Sequence, residues 1–240
     1  MNNDKRQYTR KVFVVGSPNV GKSAVFNALT GSYVTVSNYP GTTVDIATGK
    51  MKIGGHHQLT VIDTPGMYSL RPITAEENVA RKVIFNERPD CIIHVVDSKN
   101  LERMLSLTFQ LIETGLLVIC VLNLYDELLA RGMQLEIAHL EHDLGIPVVE
   151  TVAVRGFGID NLSSRIVEVI EKRYNFHTVE RKYSPEIENR IAEISNLLKE
   201  NYSISKRAIA LLLLQNDDYA FELVKQKDSR EKIKAFIAGI

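Results

Sequence analysis

A glycine-rich segment near the start of the chain has the residue types and spacing that bind phosphate. It matches G-x-x-x-x-G-K-[ST] and lies between a predicted strand (12–16) and a predicted helix (22–29), the context this pattern requires. Its backbone N–H groups can face a phosphate chain, Lys22 would reach the β- and γ-phosphates, and the Ser23 hydroxyl would bind Mg²⁺. The expected nucleotide contacts are Gly16, Ser17, Pro18, Asn19, Val20, Gly21, Lys22, Ser23 and Ala24.

A second polar element, Asp63-Thr64-Pro65-Gly66, follows the strand predicted over 59–63. An aspartate at a strand end can hold Mg²⁺ through water, and the Gly66 N–H can contact a γ-phosphate. Alone, this tetrapeptide would be a common turn. Because it follows a phosphate-binding loop along the chain, it predicts the second part of a nucleoside triphosphate site.

Two further elements predict that the base is guanine. Asn123-Leu124-Tyr125-Asp126 follows a predicted strand, and the Asp126 carboxylate can accept hydrogen bonds from N1–H and the 2-amino group of guanine, which adenine does not offer. Thr151-Val152-Ala153 follows the last predicted strand, where GTPases usually place a Ser-Ala pair that touches the base. Val152 replaces the serine, so base binding is expected to be looser and nucleotide release faster.

Residues 33–43 are polar, contain Pro40-Gly41 and precede a predicted strand. This pattern predicts a mobile loop that a γ-phosphate orders, with one threonine completing the Mg²⁺ shell. Thr42 and Thr43 are both candidates by position. The alternative is that either is a surface hydroxyl.

Strands and helices alternate between residues 11 and 174. Predicted strands lie at 12–16, 44–53, 59–63, 91–97, 116–122 and 148–151, and predicted helices at 22–29, 76–86, 101–114, 136–144 and 159–174. The strands at 44–53 and 59–63, joined by Gly54-Gly55-His56-His57, predict an antiparallel hairpin. The alternation predicts an α/β fold with a mostly parallel six-stranded sheet covered by helices on both faces.

The pattern changes after residue 174. Ser184-Pro185 is typical of a helix start, and Ile187, Ile191 and Ile194 then recur at helical spacing. Further helices are predicted over 205–215, 218–226 and 229–238. The expected organisation is a nucleotide-binding domain at 1–174 and an all-helical domain at 175–240.

The composition excludes several classes of protein. The 240 residues include 29 Lys+Arg and 29 Asp+Glu, a balance that argues against a strongly basic nucleic-acid or membrane surface. Cys91 and Cys120 lie in apolar runs and are predicted to be reduced core thiols. Apolar runs at 116–122 and 208–214 fall far short of the roughly 20 residues that cross a bilayer. We therefore expect a soluble, cytoplasmic chain, and its apolar end indicates a fragment of a longer protein.

Four motifs extend beyond the elements described above. They are Asn38-Tyr39-Pro40-Gly41-Thr42-Thr43-Val44-Asp45, Asp63-Thr64-Pro65-Gly66-Met67-Tyr68-Ser69-Leu70, Asn100-Leu101-Glu102-Arg103 and Asn123-Leu124-Tyr125-Asp126-Glu127. Together they resemble the cytosolic GTPase portion of the bacterial ferrous-iron transport protein B family. Leu124 stands where generic GTPases usually have lysine, as a hydrophobic residue does in that family. The helical region is similar to a small domain that the family places before its membrane channel.

The resemblance implies a P-loop GTPase G domain that converts GTP to GDP and phosphate and regulates ferrous-iron transport at the cytoplasmic face of the bacterial inner membrane. The implied catalytic residues are Asn19, Lys22, Thr43 and Gly66. The implied ligands are Ser23, Thr43 and Asp63 for Mg²⁺, with Asn19 and the carbonyls of Ser37 and Tyr39 for K⁺. The implied partners are guanine nucleotide, the membrane channel domain of the same full-length protein, small accessory iron-transport proteins and a second copy of the chain, without nucleic acid.

Met67 departs from GTPases that place a water-orienting glutamine directly after Asp-x-x-Gly. A thioether cannot usefully hydrogen-bond a nucleophilic water, so slow intrinsic hydrolysis is expected, with K⁺ supplying positive charge at the phosphates. Two other classes stay open. A ribosome- or RNA-assembly GTPase shares the phosphate-loop sequence but generally carries a basic appendage, and a nucleotide-dependent interaction module would not catalyse hydrolysis.

Overall fold

The computed structural model describes residues 10–31, 34–53, 57–176 and 182–225. The strands are β1 (Lys11–Val15), β2 (Val34–Asn38), β3 (Asp45–Ile53), β4 (His57–Asp63), β5 (Cys91–Asp97), β6 (Val118–Asn123) and β7 (Val148–Glu150). The helices are α1 (Lys22–Thr30), α2 (Ala75–Glu87), α3 (Leu101–Glu113), α4 (Tyr125–Ala130), α5 (Ile137–Leu144), α6 (Ile159–Ile170), α7 (Pro185–Leu197), α8 (Lys206–Leu214) and α9 (Asp218–Lys225). Short 3-10 helices follow β5 at Ser98–Asn100 and β7 at Ala153–Arg155.

The strands form one mixed sheet in the order β2-β3-β4-β1-β5-β6-β7. β4, β1, β5, β6 and β7 run parallel, whereas β2-β3-β4 is antiparallel. Every residue of β5 and β6 is buried, as expected for parallel strands with helices on both faces. The predicted α/β fold followed by a helical region is confirmed.

The sheet has one more strand than predicted. Residues 34–38 were expected to belong to a mobile loop, but they form β2, which pairs antiparallel with β3 from Val34↔Gly49 to Asn38↔Asp45. All five residues are exposed, so no apolar burial identifies this strand. Its β-branched residues and the free edge of β3 explain it, and Tyr39-Pro40-Gly41 then ends the pairing.

Other elements lie close to their predicted bounds, with two differences. The helix that starts at Ile159 ends at Ile170 rather than residue 174, and α4 directly after β6 was not predicted. Cys91 and Cys120 are free and buried, as predicted. The predicted helix at 229–238 and residues 54–56 of the predicted hairpin turn lie outside the described residues.

The helical part, residues 182–225, shares a core with one face of the sheet. α1 and α6 cover the opposite face through a separate cluster that includes Phe26 and Leu162. On the first face α2 and α3 pack under the helical part, so Val83, Leu107, Ile194 and Leu213 belong to one continuous cluster. The helical part is therefore seated on the α2–α3 layer rather than tethered at a distance.

Ion pairs around Arg207 strengthen this contact between the helical part and α3. Its guanidinium donates two hydrogen bonds to Glu188 of α7, at 2.7 and 2.8 Å, and one of 2.7 Å to Glu113 at the end of α3. The Ser205 hydroxyl also donates to the Glu113 carbonyl at 2.6 Å. The two bonds from Arg207, and then a bond from the Tyr183 N–H, lower the pKa of the Glu188 carboxyl to about 2.

This pKa predicts how stability depends on pH. A carboxyl group whose folded-state pKa is depressed contributes stability above its ordinary pKa of 4.5 and loses it as the pH falls toward about 2. Glu188→Gln is therefore expected to melt below the wild type at pH 7, with the difference shrinking as the pH falls from 5 to 3. Thermal unfolding across this range measures it. Glu193→Gln, an exposed position on the same helix, is the control, and a difference that stays constant with pH would contradict the assignment.

Candidate functional site

The motif residues meet where the parallel strands end. The register sets Val14 opposite Asp63 and Asp97 opposite Asn123, so the carboxyl ends of β1, β4, β5 and β6 lie side by side. In open α/β sheets this edge is where ligands bind. The phosphate-loop segment, Asp63 and Asn123 therefore belong to one site.

The phosphate loop turns tightly between β1 and α1. A Cβ on Gly16 would lie 2.3 Å from the Val95 carbonyl oxygen, and one on Gly21 would lie 2.2 Å from the Asn123 amide nitrogen. Gly21 also has a φ of 86° and is the N-cap of α1. Both glycines are needed where they stand. The first turn of α1 carries no acidic side chain, so its N–H groups present positive potential to an anion.

Lys22, Ser23 and Asp63 converge at this helix start. The Lys22 ammonium donates to the Ser17 carbonyl at 3.2 Å, and the Ser23 hydroxyl donates to Asp63 Oδ2 at 2.8 Å. Burial lowers the pKa of Lys22 and the Asp63 charge partly offsets this. Burial raises the pKa of Asp63 against the Ser23 bond and the Lys22 charge. An entering phosphate would give the partly desolvated ammonium a close counter-charge.

The same residues fit a divalent cation. Asp63 Oδ1 is buried and has no hydrogen-bond partner among the described residues. An unsatisfied carboxylate oxygen beside a serine hydroxyl is an oxygen donor set of the kind that Mg²⁺ takes together with phosphate oxygens. Ser23 and Asp63 are thus together where Mg²⁺ would be held.

The segment after β4 is fastened to the phosphate loop. The Thr64 N–H and hydroxyl both donate to the Val14 carbonyl, and the Met67 N–H donates to the Gly16 carbonyl at 3.0 Å. A Cβ on Gly66 would lie 2.8 Å from Pro18 Cγ, so only glycine fits this approach. The Met67 side chain is fully buried. It is part of the core and faces away from solvent.

Asn123 joins the phosphate loop to the loop that follows β7. Its amide nitrogen donates to the Val20 carbonyl at 3.0 Å, and its oxygen accepts from the Thr151 hydroxyl at 3.0 Å and the Ala153 N–H at 3.1 Å. Thr151 and Ala153 are buried, as is Val152, so these residues form a buried wall where the sequence analysis expects the base. The Asp126 carboxylate pairs with Arg155 at 3.2 Å, an ion pair absent from the sequence-based predictions.

The structure does not assemble the expected cation ligands of residues 37–43. Thr43 is exposed, and no hydrogen bond among the described residues joins it to Ser23 or Asp63. Ser37 lies in β2 opposite Ile46. The Tyr39 carbonyl accepts bonds from the Thr42 N–H and hydroxyl, at 3.0 and 2.9 Å, and within the described ranges no hydrogen bond links Asn19 to it. Asn19 itself is exposed, with a left-handed φ of 63°.

Glu77, in the first turn of α2, organises the segment after Gly66. Its carboxylate accepts from the N–H groups of Tyr68, Ile73 and Thr74 at 3.1, 2.7 and 3.2 Å. In return, the hydroxyl of Thr74, the N-cap of α2, accepts from the Glu77 N–H. Burial alone would raise the pKa of Glu77, but these three bonds outweigh it and the pKa is lowered. The Thr-x-x-Glu capping box was the sequence signal for this role.

Comparison with known sequences assigns this fold and site to a family. The sequence model of ferrous iron transport protein B matches residues 10–166, and that of the FeoB cytosolic helical domain matches residues 183–240. The chain belongs to the ferrous iron transport protein B family. FeoB of Methanocaldococcus jannaschii is 37% identical over 96% of this chain, and a FeoA/FeoB fusion protein of Porphyromonas gingivalis is 38% identical over 86%.

Solved FeoB structures agree with the architecture. The cytosolic domain of the T. maritima FeoB iron transporter in a GDP form is 34% identical, with a TM-score of 0.84 over 97% of this chain and 94% of that one. Its GMPPNP form gives 0.82 at 33% identity, over 96% and 94%. The chain spans about a quarter to a third of the length of the two curated FeoB relatives above, 25% and 34%. No helix among the described residues is long and apolar enough to cross a membrane.

The Asn123 bonds predict a stability effect that does not depend on ligand. Asn123→Ala leaves the buried Val20 carbonyl, Thr151 hydroxyl and Ala153 N–H without this partner and is expected to lower the free energy of unfolding by roughly 2–3 kcal/mol. Thr151→Val removes a single bond of the set and is expected to cost about 1 kcal/mol. Urea unfolding without nucleotide measures both. Equal losses for the two variants would show that Asn123 does not hold the loops together.

Proposed function

We propose that the chain binds guanine nucleotides and hydrolyses GTP. The observation that carries this proposal is the convergence of Lys22, Ser23 and Asp63 on one side of Asn123, with the Asp126 carboxylate on the other. The first three residues suit a triphosphate with its Mg²⁺, and Asp126 suits the N1–H and 2-amino group of guanine. The T. maritima relatives in GDP and GMPPNP forms support the same assignment.

In the proposed reaction, water attacks the γ-phosphorus, the bond to the β–γ bridging oxygen breaks, and GDP and phosphate leave. Lys22 offsets negative charge on the β- and γ-phosphates, and the Gly66 N–H donates to the γ-phosphate. Met67 is buried and contributes only its backbone N–H to the Gly16 carbonyl. Without a glutamine at this position, water is oriented by backbone groups of residues 37–43, by another residue or by a partner, and intrinsic hydrolysis is slow.

Two cations complete the proposed site. Ser23 and Asp63 would hold Mg²⁺, and Thr43 would join them when residues 37–43 close over the γ-phosphate. Asn19 with the carbonyls of Ser37 and Tyr39 would hold K⁺, which requires Tyr39 to release the bonds from Thr42. Both cations supply positive charge at the phosphates.

The wider role proposed for this domain is the regulation of Fe²⁺ transport across the bacterial inner membrane, from its cytoplasmic face. This follows from the family and not from any iron ligand, since no cluster of metal-binding side chains occurs among the described residues. The proposed organisation is a G domain at 1–174 and a helical domain at 175–240 that leads to a membrane domain. Small accessory iron-transport proteins and a second copy of the chain are further proposed partners. The family match favours this role over ribosome assembly.

Base recognition predicts the effect of one substitution. Asp126→Asn loses a charged acceptor for two guanine donors and is expected to weaken GDP binding at least tenfold, since hydrogen bonds to charged groups contribute about 1.5–3 kcal/mol. Titration with a fluorescent guanine nucleotide measures it. Glu127→Gln, on the next residue of α4, is the control and should bind as the wild type does. Unchanged affinity in Asp126→Asn would refute the assignment of the base site.

The proposed K⁺ site predicts a salt effect on catalysis. GTP hydrolysis by the wild type is expected to be faster in K⁺ than in Na⁺ at equal ionic strength, and Asn19→Ala should abolish the difference while GDP binding persists. Phosphate release under single-turnover conditions measures this. Equal rates in both salts would remove K⁺ from the mechanism and leave the GTPase proposal standing.

A further inference from the structure

One face of α2 connects residues 66–70, called the catalytic segment below, to the helical part. Glu77, Arg81 and Phe85 follow at intervals of four residues and are all buried, so they form a single stripe along the helix. Glu77, at one end, binds the backbone of Tyr68, Ile73 and Thr74. Phe85, at the other end, packs against the Tyr219 ring of α9 with centroids 5.9 Å apart.

Arg81, in the middle of this stripe, binds both sides. Its guanidinium pairs with Asp217 at 2.5 Å and donates to the Leu70 carbonyl at 3.4 Å. Both charged side chains are only 6% exposed. A buried pair of this kind gains little stability over apolar packing, but removing one partner is costly. The distinguishing contribution of the Arg81–Asp217 pair is therefore to fix the positions of its partners rather than to add stability.

Leu70 is held from both sides at the end of the catalytic segment. Its N–H donates to the Gln110 side chain of α3 at 2.7 Å, and its carbonyl accepts from Arg81. Leu70 is itself buried. Between Gly66 and Leu70 the backbone is thus fixed at one end by the phosphate loop and at the other by α2 and α3.

The helical part engages Arg81 through the start of α9. Asp217 also accepts from the Ala220 N–H at 2.9 Å, so one carboxylate both caps α9 and neutralises Arg81. The Tyr219 ring lies under the guanidinium at 4.8 Å, and its hydroxyl donates to Asn86 of α2 at 2.8 Å. Burial raises the pKa of Tyr219, whereas the Arg81 charge lowers it. Tyr219 therefore joins α9 both to Arg81 and to Asn86 of α2.

We propose that Arg81 is a positioning residue through which Asp217 and Tyr219, at the start of α9, set the Gly66–Leu70 backbone and hence the rate of GTP hydrolysis. The inference rests on the proposed GTPase function. GDP lacks the γ-phosphate that Gly66 contacts, so coupling through Arg81 acts on GTP and on the transition state, and spares GDP.

The test uses two variants on the helical side of the contact. Asp217→Asn keeps an oxygen for the Ala220 N–H but leaves Arg81 without its counter-charge. Tyr219→Phe keeps the ring and removes the bond to Asn86. Each is expected to lower kcat for GTP about fivefold, the low end of measured couplings between sites, and to weaken GMPPNP binding relative to GDP.

The matched control is Glu113→Gln, which breaks the ion pair between α3 and Arg207 of α8 but has no described bond to residues 63–74. It should change the melting temperature without changing kcat or the ratio of GMPPNP to GDP affinity. If Asp217→Asn does not fold, Tyr219→Phe decides. Variants that melt earlier but keep the wild-type kcat and affinity ratio would overturn the inference, whereas a wild type that does not hydrolyse GTP would overturn the proposed function itself.

Discussion

The site depends on one buried amide. Asn123 makes three hydrogen bonds that join the phosphate loop to the loop after β7. Its side-chain nitrogen lies 2.2 Å from where a Cβ on Gly21 would be. Because an unpaired polar group at this depth is costly, the two loops cannot separate independently. The distance between the phosphate end and the base end of the site is therefore set by the protein before any ligand arrives.

At the phosphate end of the site, two charged side chains are also placed before any ligand arrives. Lys22 and Asp63 are each partly desolvated, with their pKa values displaced in opposite directions by burial. The folded chain therefore holds a partly desolvated ammonium, which suits a phosphate, and a partly desolvated carboxylate, which suits a cation. In the proposed function, a ligand that carries both an anion and a cation is favoured over a lone anion, because it supplies a counter-charge to each group.

Sequence patterns predicted local structure and missed contacts between distant segments. The strand, turn and helix around Gly16 and Gly21, and the strand before Asn123, were predicted because their signals lie within a few residues of one another. β2 was missed because its exposed residues gain their order from pairing with β3 rather than from burial. Arg81 and Asp217 lie 136 residues apart, and nothing within either segment indicates that the two charges meet.

Met67 shows why the distant contacts matter for the chemistry. A glutamine side chain could orient water and tolerate some looseness in the backbone that carries it. Here the side chain at this position is buried in the core, so in the proposed reaction only backbone groups of this segment remain to act on the γ-phosphate. A backbone N–H is placed only as accurately as the contacts that anchor its segment allow. This matters because misplacement of about 1 Å can cost two orders of magnitude in rate. Those anchors are the Gly16 carbonyl on one side and Gln110 and Arg81 on the other. In the proposed GTPase, the geometry of catalysis therefore depends on α2, α3 and the helices packed on them.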